Sequence, residues 1–171
     1  VPVEIATEQG RVVSTEFTAP QPLKRLSQVS AEQAAACLSL SATDVKIDQH
    51  PPQVISVGLA FLAVELTSRQ ALRRARPDAA AFAKTFPCDG SDAVYLYTRD
   101  VPASEQPCEL QARMFHPGAS GLSEDPATGS ATAAAAALLA DLDATRDGEL
   151  KLQLGQGVDM FVLDPAIGAF L

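Results

Sequence analysis

The stretch GLSEDPATGSATAAAAALLADL, from Gly121 to Leu142, places two carboxylates and a proline directly before an almost continuous run of alanines. A helix on the surface of a soluble domain normally carries a polar face, whereas this segment is apolar nearly all round. Such a helix is expected to be surrounded by other elements, and small alanine side chains let neighbouring strands approach its axis closely. The segment therefore predicts a central apolar helix wrapped by a curled sheet or barrel.

The remaining segments predict more strands than helices. The apolar run from Val54 to Leu66 contains Gly58, which predicts either one long buried strand or two strands with a bend. Ser30 and Asp78 are placed to cap two short helices. Further strands are predicted in GRVVSTEFTAP (10–20), DAVYLYTRD (92–100), CELQARMF (108–115), ELKLQL (149–154) and GVDMFVLD (157–164). This order predicts an α+β fold with mainly antiparallel pairing.

The overall composition indicates a single folded domain and argues against nucleic-acid and membrane partners. The 171 residues are 47% hydrophobic and 20% charged, which is enough for one domain with a real core. The formal net charge of −8 offers no basic surface to nucleic acid. The longest apolar run is too short to span a bilayer and contains Glu65, so we expect no membrane partner.

Cysteine usage indicates a reducing compartment. Cys37, Cys88 and Cys108 are odd in number and show no CxxC spacing, so neither a disulfide framework nor a zinc site is indicated. We therefore expect a cytoplasmic protein that holds no metal. The sequence begins at Val1 rather than at methionine, which is typical of a processed or truncated piece of a longer chain.

The start of the alanine helix has the features of an anion site. The first turn of a helix leaves backbone N–H groups unpaired, and the helix dipole makes that end partially positive. Gly129 and Ser130 are small, so a carboxylate ligand can approach these amides closely. Glu124, Asp125 and Thr128 lie at the rim, where a carboxylate can also hold an amine or move a proton. The alternative is purely structural, with Asp125 and Thr128 acting only as helix caps.

The octapeptide EDPATGSA (124–131) resembles the signature of the PhzF-like proteins of phenazine biosynthesis. Other stretches agree in order and spacing: RMFHP (113–117), GASGLSEDPATGSA (118–131), SVGLAFLAVELTSRQAL (56–72), RPD (76–78) and GQGVDM (155–160). The resemblance covers nearly the whole chain but only the second half of a normal family member. It implies residues 1–20 as the end of a first domain or an inter-domain strand, and residues 21–171 as the C-terminal domain.

The resemblance also implies a function. These proteins share the diaminopimelate-epimerase fold and include isomerases that use no cofactor. Asp125 would be the catalytic-site aspartate, and Gly129 and Ser130 would hold the carboxylate of a small metabolite, with Thr128 and Glu124 beside it. The family's principal proton shuttle is a glutamate of the first domain, assisted by a Gly-His motif, and neither stretch occurs in these 171 residues. After GQGVDM the family continues Gly-Arg-Pro, whereas this chain reads FVLDPAIGAFL.

We therefore predict a PhzF-like isomerase, or its C-terminal domain, that moves a proton on a small carboxylated metabolite and forms a homodimer. The alternatives are a truncated, non-catalytic domain that binds small anions or a protein partner, and a structural domain without a ligand.

The other candidate groups have simpler interpretations. His116 is interpreted as a structural residue at a strand end, His50 as a solvated loop residue, and the arginines at 69, 73, 74 and 76 as a solvated helix face. The three cysteines lie outside the motif, which disfavours a two-thiol mechanism.

Overall fold

A computed structural model describes residues 2–119, 121–143 and 150–160. The described residues form nine strands and four α-helices, together with two short 3-10 turns. The strands are β1 (Glu4–Glu8), β2 (Arg11–Glu16), β3 (Lys24–Gln28), β4 (Gln53–Ser56), β5 (Ala60–Glu65), β6 (Val94–Thr98), β7 (Leu110–Gly118), β8 (Gly121–Asp125) and β9 (Leu154–Gln156). The helices are α1 (Ala31–Cys37), α2 (Arg69–Arg74), α3 (Ala79–Thr85) and α4 (Gly129–Leu142).

Seven strands form one sheet in the order β3-β4-β5-β6-β7-β8, with β9 pairing to β7. Most neighbours are antiparallel, as predicted, and the parallel pairs are β5 with β6 and β7 with β9. Both β8 and β9 lie along the same edge of β7. Asp125 at the end of β8 is opposite Met114, and Gln156 at the end of β9 is opposite Ala112. The sheet therefore brings Asp125 and Gln156 together at one place.

Several local predictions are confirmed. The apolar run of residues 54–66 contributes two antiparallel strands, β4 and β5, which reverse direction at Gly58. Ser30 and Gln33 form the reciprocal hydrogen bonds of a capping box at the start of α1. Asp78 accepts a hydrogen bond from the amide of Ala81 and caps α3.

Helices cover both faces of the seven-stranded sheet. One face, which we call the three-helix face, packs against residues of α1, α2 and α3 through side chains such as Leu62, Leu96 and Phe115. The other, which we call the α4 face, packs Tyr95, Ala112 and other side chains against the buried alanines of α4. Since successive strand residues point to opposite faces, adjacent residues of one strand can serve different layers.

Helix α4 is buried on one side only. Its buried residues recur with helical spacing: Ala131, Ala134, Ala135, Leu138 and Leu139. On the other side Ala133, Ala136 and Ala137 are half-buried and Ala140 is exposed. The predicted wrapping of this helix is therefore not confirmed, and no closed barrel forms in the described ranges. The apolar sequence of α4 predicted too complete a burial of this helix. An alanine methyl exposes little apolar surface, so leaving it in water costs little free energy.

The two ends of the chain differ from their predictions in detail. The strand predicted over residues 10–20 is the shorter β2, which pairs with β1 in a separate, exposed two-stranded sheet. The predicted strand ELKLQL is wrong in position, since the strand is Leu154–Gln156 while Leu150 and Leu152 only pack against the α4 face. Residues 157–160 of GVDMFVLD form a turn, and the rest of that predicted strand and the apolar tail lie outside the described residues. In the part of the chain that is described, no helix combines the length and apolarity that crossing a bilayer requires.

Candidate functional site

The site is built where β8 turns into α4. The strand ends at Asp125, and Thr128 is the last residue before the helix, with φ −119° and ψ 81°. The hydroxyl of Thr128 donates to Asp125 Oδ2 over 2.6 Å, and the amide of Ala127 donates to Oδ1 over 3.3 Å. The carboxylate of Asp125 thus accepts hydrogen bonds from the two residues of the turn that follow Pro126. Neither Asp125 nor Thr128 accepts a hydrogen bond from a helix amide through its side chain, so the cap alternative does not describe this turn.

The first amides of α4 are open. Among the described residues, the amides of Gly129 and Ser130 donate to no hydrogen-bond acceptor, whereas those of Ala131 and Thr132 donate to the carbonyl of Thr128. Unpaired N–H groups at the start of a fourteen-residue helix carry the positive end of its dipole. This end of α4 therefore has the unpaired donors and the partial positive charge that an anion site requires.

An apolar cavity lies beside these amides. It has a volume of about 380 Å³ and reaches Ser130, and its walls include Val3, Phe17, Val57 and Leu59. The ring of Phe17 lies over Gly129, at 3.4 Å from where a Cβ on that glycine would be. The space between the helix start and the aromatic ring therefore just accommodates a methyl group at position 129.

Gln156 from β9 completes the turn. Its side-chain oxygen accepts from the amide of Thr128 at 3.1 Å, and its Nε2 donates to the carbonyl of Asp125 and to Thr128 Oγ1, both at 2.9 Å. This glutamine lies in the stretch GQGVDM that resembles the family, but it was not predicted as a site residue. The signal was available in the two flanking glycines, which are typical of a strand that approaches another backbone closely.

Glu124 lies on the opposite side of the sheet from Asp125. Both of its carboxylate oxygens accept from the guanidinium of Arg113 at 2.7 Å. Arg113 is only 7% exposed and also donates to the carbonyls of Leu72 and Ala75 in and after α2. The structure therefore separates two acids that the sequence placed together at the helix start, and it points Glu124 towards the three-helix face.

The two histidines occupy different environments. His50 is 2% exposed and its Nε2 lies 2.6 Å from the hydroxyl of Tyr97, so the interpretation as a solvated loop residue is wrong. Burial lowers the pKa of His50, although a hydrogen bond to the carbonyl of Pro51 and the charge of Glu65 act in the opposite direction. His116 is half-buried at the end of β7, and its Nδ1 contacts the carbonyl of Pro117.

The arginines of α2 do not form a uniform solvated face. Arg69 is 8% exposed and pairs with Glu105 and Asp159, and Arg73 also pairs with Asp159. The solvated-face interpretation is therefore wrong for Arg69, because acidic side chains from two later segments fold over it. These pairs tie α2 to the turn that follows β9.

Buried hydroxyls elsewhere on the α4 face are paired. Tyr95 and Thr132 share a hydrogen bond of 2.9 Å between strand and helix. Burial raises the pKa of Tyr95, with the Thr132 contact acting in the opposite direction. The three cysteines are unbridged, and within the described ranges no group of three or more His, Cys, Asp or Glu side chains is arranged to hold a metal ion.

Comparison with known proteins places this arrangement in a family. The model of the family described as phenazine biosynthesis-like protein matches residues 1–161. The chain belongs to this family. The predicted resemblance to PhzF-like proteins is therefore confirmed, and the octapeptide that suggested it most strongly spans the end of β8 and the start of α4.

Relatives of this PhzF-family chain are longer than it is. An uncharacterized isomerase of Mesorhizobium japonicum is 30% identical over 144 residues, which cover 82% of this chain and 46% of that protein. A PhzF-family phenazine biosynthesis protein of Bacillus anthracis superposes with a TM-score of 0.74 at 22% identity, over 94% of this chain and 53% of that one. A protein of Pseudomonas aeruginosa described as a predicted epimerase gives a TM-score of 0.54 at 28% identity, over 76% of this chain and 42% of that one. The chain spans about half the length of these relatives.

Proposed function

We propose that this chain is the substrate-holding, C-terminal part of a PhzF-like isomerase that acts on a small carboxylated metabolite by acid/base proton transfer without a cofactor. One observation supports this most directly. The unpaired amides of Gly129 and Ser130 lie next to an aspartate whose carboxylate is held in a fixed orientation by Thr128. Family membership and the isomerase relative support the reaction class.

The helix start supplies the positive end of the proposed site. A substrate carboxylate would accept from the amides of Gly129 and Ser130, which need no reorganisation to receive it. Asp125 would then accept from an amine or hydroxyl of the same substrate and so position the carbon that loses or gains the proton. In this proposal Glu124 does not touch the substrate but anchors β8 through Arg113, while Thr128 acts through Asp125.

The proton shuttle of the proposed reaction lies outside these residues. Resemblance to the family suggests a glutamate of a first domain, so we propose that residues 1–20 belong to the end of that domain and residues 21–171 to the second. The same resemblance suggests that α4 is the central helix of a curled sheet in the whole protein, which would cover the half-exposed Ala133, Ala136 and Ala137. A cytoplasmic homodimer is part of the same proposal.

The anion site can be tested on the chain itself. Titration of the ¹⁵N-labelled protein with sodium propionate, against sodium chloride at equal ionic strength, should shift the amide resonances of Gly129 and Ser130 saturably. Gly129→Pro removes one donor at the first helical position, where proline is well tolerated, and should weaken propionate binding by about tenfold. Gly129→Ala keeps the amide, and the added Cβ meets only the Phe17 ring at ordinary contact distance, so it serves as the matched control.

Two outcomes would count against the proposal. If the Gly129 and Ser130 amides do not respond to propionate, the carboxylate site is absent. If Gly129→Pro and Gly129→Ala bind propionate equally, the backbone donor is not part of it. A longer protein that also contains the proposed first domain can then be tested in deuterium oxide. If it binds carboxylates but does not exchange a substrate C–H for deuterium, the non-catalytic, anion-binding alternative is supported instead.

A further inference from the structure

We propose that Gln156 is a positioning residue for Asp125, acting through the hydroxyl of Thr128. The inference rests on the proposed function, since it concerns the same site. It adds that the orientation of the aspartate is set by a side chain from β9, which arrives 31 residues later in the chain.

The hydrogen bonds define the direction of this relay. The amide of Thr128 can only donate, so it must face the oxygen of Gln156, and the carbonyl of Asp125 can only accept, so it must face Nε2. The orientation of the glutamine amide is thereby fixed. Nε2 also donates to Thr128 Oγ1 at 2.9 Å, which leaves the hydroxyl proton of Thr128 to donate to Asp125 Oδ2 at 2.6 Å.

This relay constrains the carboxylate of Asp125. A hydroxyl proton rotates to suit its partners, and a donor on one lone pair limits the directions in which the hydroxyl can itself donate; Gln156 supplies that donor. With Oδ2 engaged by Thr128 and Oδ1 by the amide of Ala127, the carboxylate plane is held, and in the proposed site its remaining lone pairs would accept from the ligand. Loss of Gln156 would leave Asp125 in place but would remove one of the two hydrogen bonds that set the direction of the Thr128 hydroxyl.

The residues on either side of Gln156 allow the close approach. A Cβ on Gly157, where φ is +73°, would lie 2.7 Å from the carbonyl oxygen of Pro126. A Cβ on Gly155 would lie 2.6 Å from the side-chain oxygen of Gln111. The two glycines therefore allow Gln156 to contact the turn between β8 and α4. Larger residues at positions 155 and 157 would increase the distance between β9 and its neighbours.

Two probes separate positioning from a structural tie. Propionate presents a carboxylate alone, and β-alanine adds an ammonium group that Asp125 can accept from. The wild-type chain should bind β-alanine about tenfold more tightly than propionate, measured by amide shifts of Gly129 and Ser130, because a charge-assisted hydrogen bond is worth about that factor. Gln156→Ala should reduce the ratio of the two dissociation constants to about threefold or less while propionate binding persists.

A second pair of variants covers the possibility that Gln156→Ala does not fold. Thr128→Val removes the hydroxyl with little change in shape and should also reduce the ratio, whereas Thr128→Ser keeps the hydroxyl and should preserve it.

Three outcomes would contradict these proposals. If Gln156→Ala or Thr128→Val weakens the binding of both probes equally, or leaves the ratio at its wild-type value, the positioning role is overturned. Equal affinity of the wild-type chain for the two probes overturns the role of Asp125 and this inference with it. Failure of propionate to shift the Gly129 and Ser130 amides overturns the proposed function itself.

Discussion

Glu124 and Asp125 are consecutive in β8, yet the two faces of the sheet use them differently. On the three-helix face, Glu124 is neutralised by a nearly buried arginine that also binds two backbone carbonyls. On the α4 face, Asp125 is held only by a hydroxyl and one backbone amide and has no basic partner among the described residues. We therefore expect Glu124 to contribute mainly to stability and Asp125 mainly to the proposed ligand site.

The largest effect is expected from breaking the ion pair. Glu124→Gln leaves the guanidinium of Arg113 buried without its counter-charge, so we expect the free energy of unfolding to fall by about 3–5 kcal/mol. Asp125→Asn, one residue along, should cost less, about 1–2 kcal/mol, because the amide keeps only one of the two hydrogen bonds from Thr128 and Ala127 but strands no buried cation. Urea unfolding of both variants measures this, and equal losses would contradict the division between the faces.

The two sides of α4 provide the next comparison. Ala134 is fully buried against the sheet, so Ala134→Leu should overpack that interface and lower the free energy of unfolding by about 2–3 kcal/mol. Ala140→Leu places the same side chain on the exposed side and should change stability by less than about 0.5 kcal/mol. Thermal and urea unfolding distinguish them, and equal destabilisation would mean that the outer side is packed as tightly as the inner one.

The approach of β9 to the start of α4 is expected to contribute less. Gly90→Ala adds a Cβ to a residue with φ +78° and free space around it, so the cost of left-handed backbone alone, about 1 kcal/mol, is expected. Gly157→Ala has a similar φ and also meets the Pro126 carbonyl, so we expect about 2 kcal/mol. Chemical denaturation measures the difference. A Gly157 variant no less stable than the Gly90 variant would show that β9 can move away freely.

The smallest expected effect concerns pH. The pKa of His50 is lowered by burial, so the folded chain binds this proton less readily than the unfolded chain does. The stabilising contribution is therefore complete above the ordinary histidine pKa of about 6.5 and is lost as the pH falls below it. His50→Gln should flatten the decrease in unfolding free energy between pH 7 and pH 5. Equal slopes for wild type and His50→Gln would contradict this assignment.

The sequence predicted the class of fold and most local features because these depend on neighbouring residues. Capping at Ser30 and Asp78, the reversal at Gly58 and the open start of α4 all follow from local chemistry. The motif also located Gly129 and Ser130 correctly at the start of a helix, whereas the strand β8 that ends at Asp125 was not predicted. The roles of these residues in binding remain predictions that the titrations above address.

Features that depend on pairing across the chain were missed. Glu124 looked like a rim residue because its partner Arg113 lies across a strand pair, and alternation rather than proximity in sequence decides which face it takes. His50 looked solvated because Tyr97, which covers it, is 47 residues away. The enclosure of α4 was inferred from its composition, although alanine tolerates exposure as readily as burial.

The contact of Arg113 with both Glu124 and the end of α2 has a mechanical consequence. Helix α2, on the three-helix face, is coupled through one guanidinium to the strand that carries Asp125 on the α4 face. Substitutions near Leu72 or Ala75 are therefore expected to disturb the proposed site from the opposite side of the sheet, and a screen that measures binding alone would not distinguish such distant changes from direct ones.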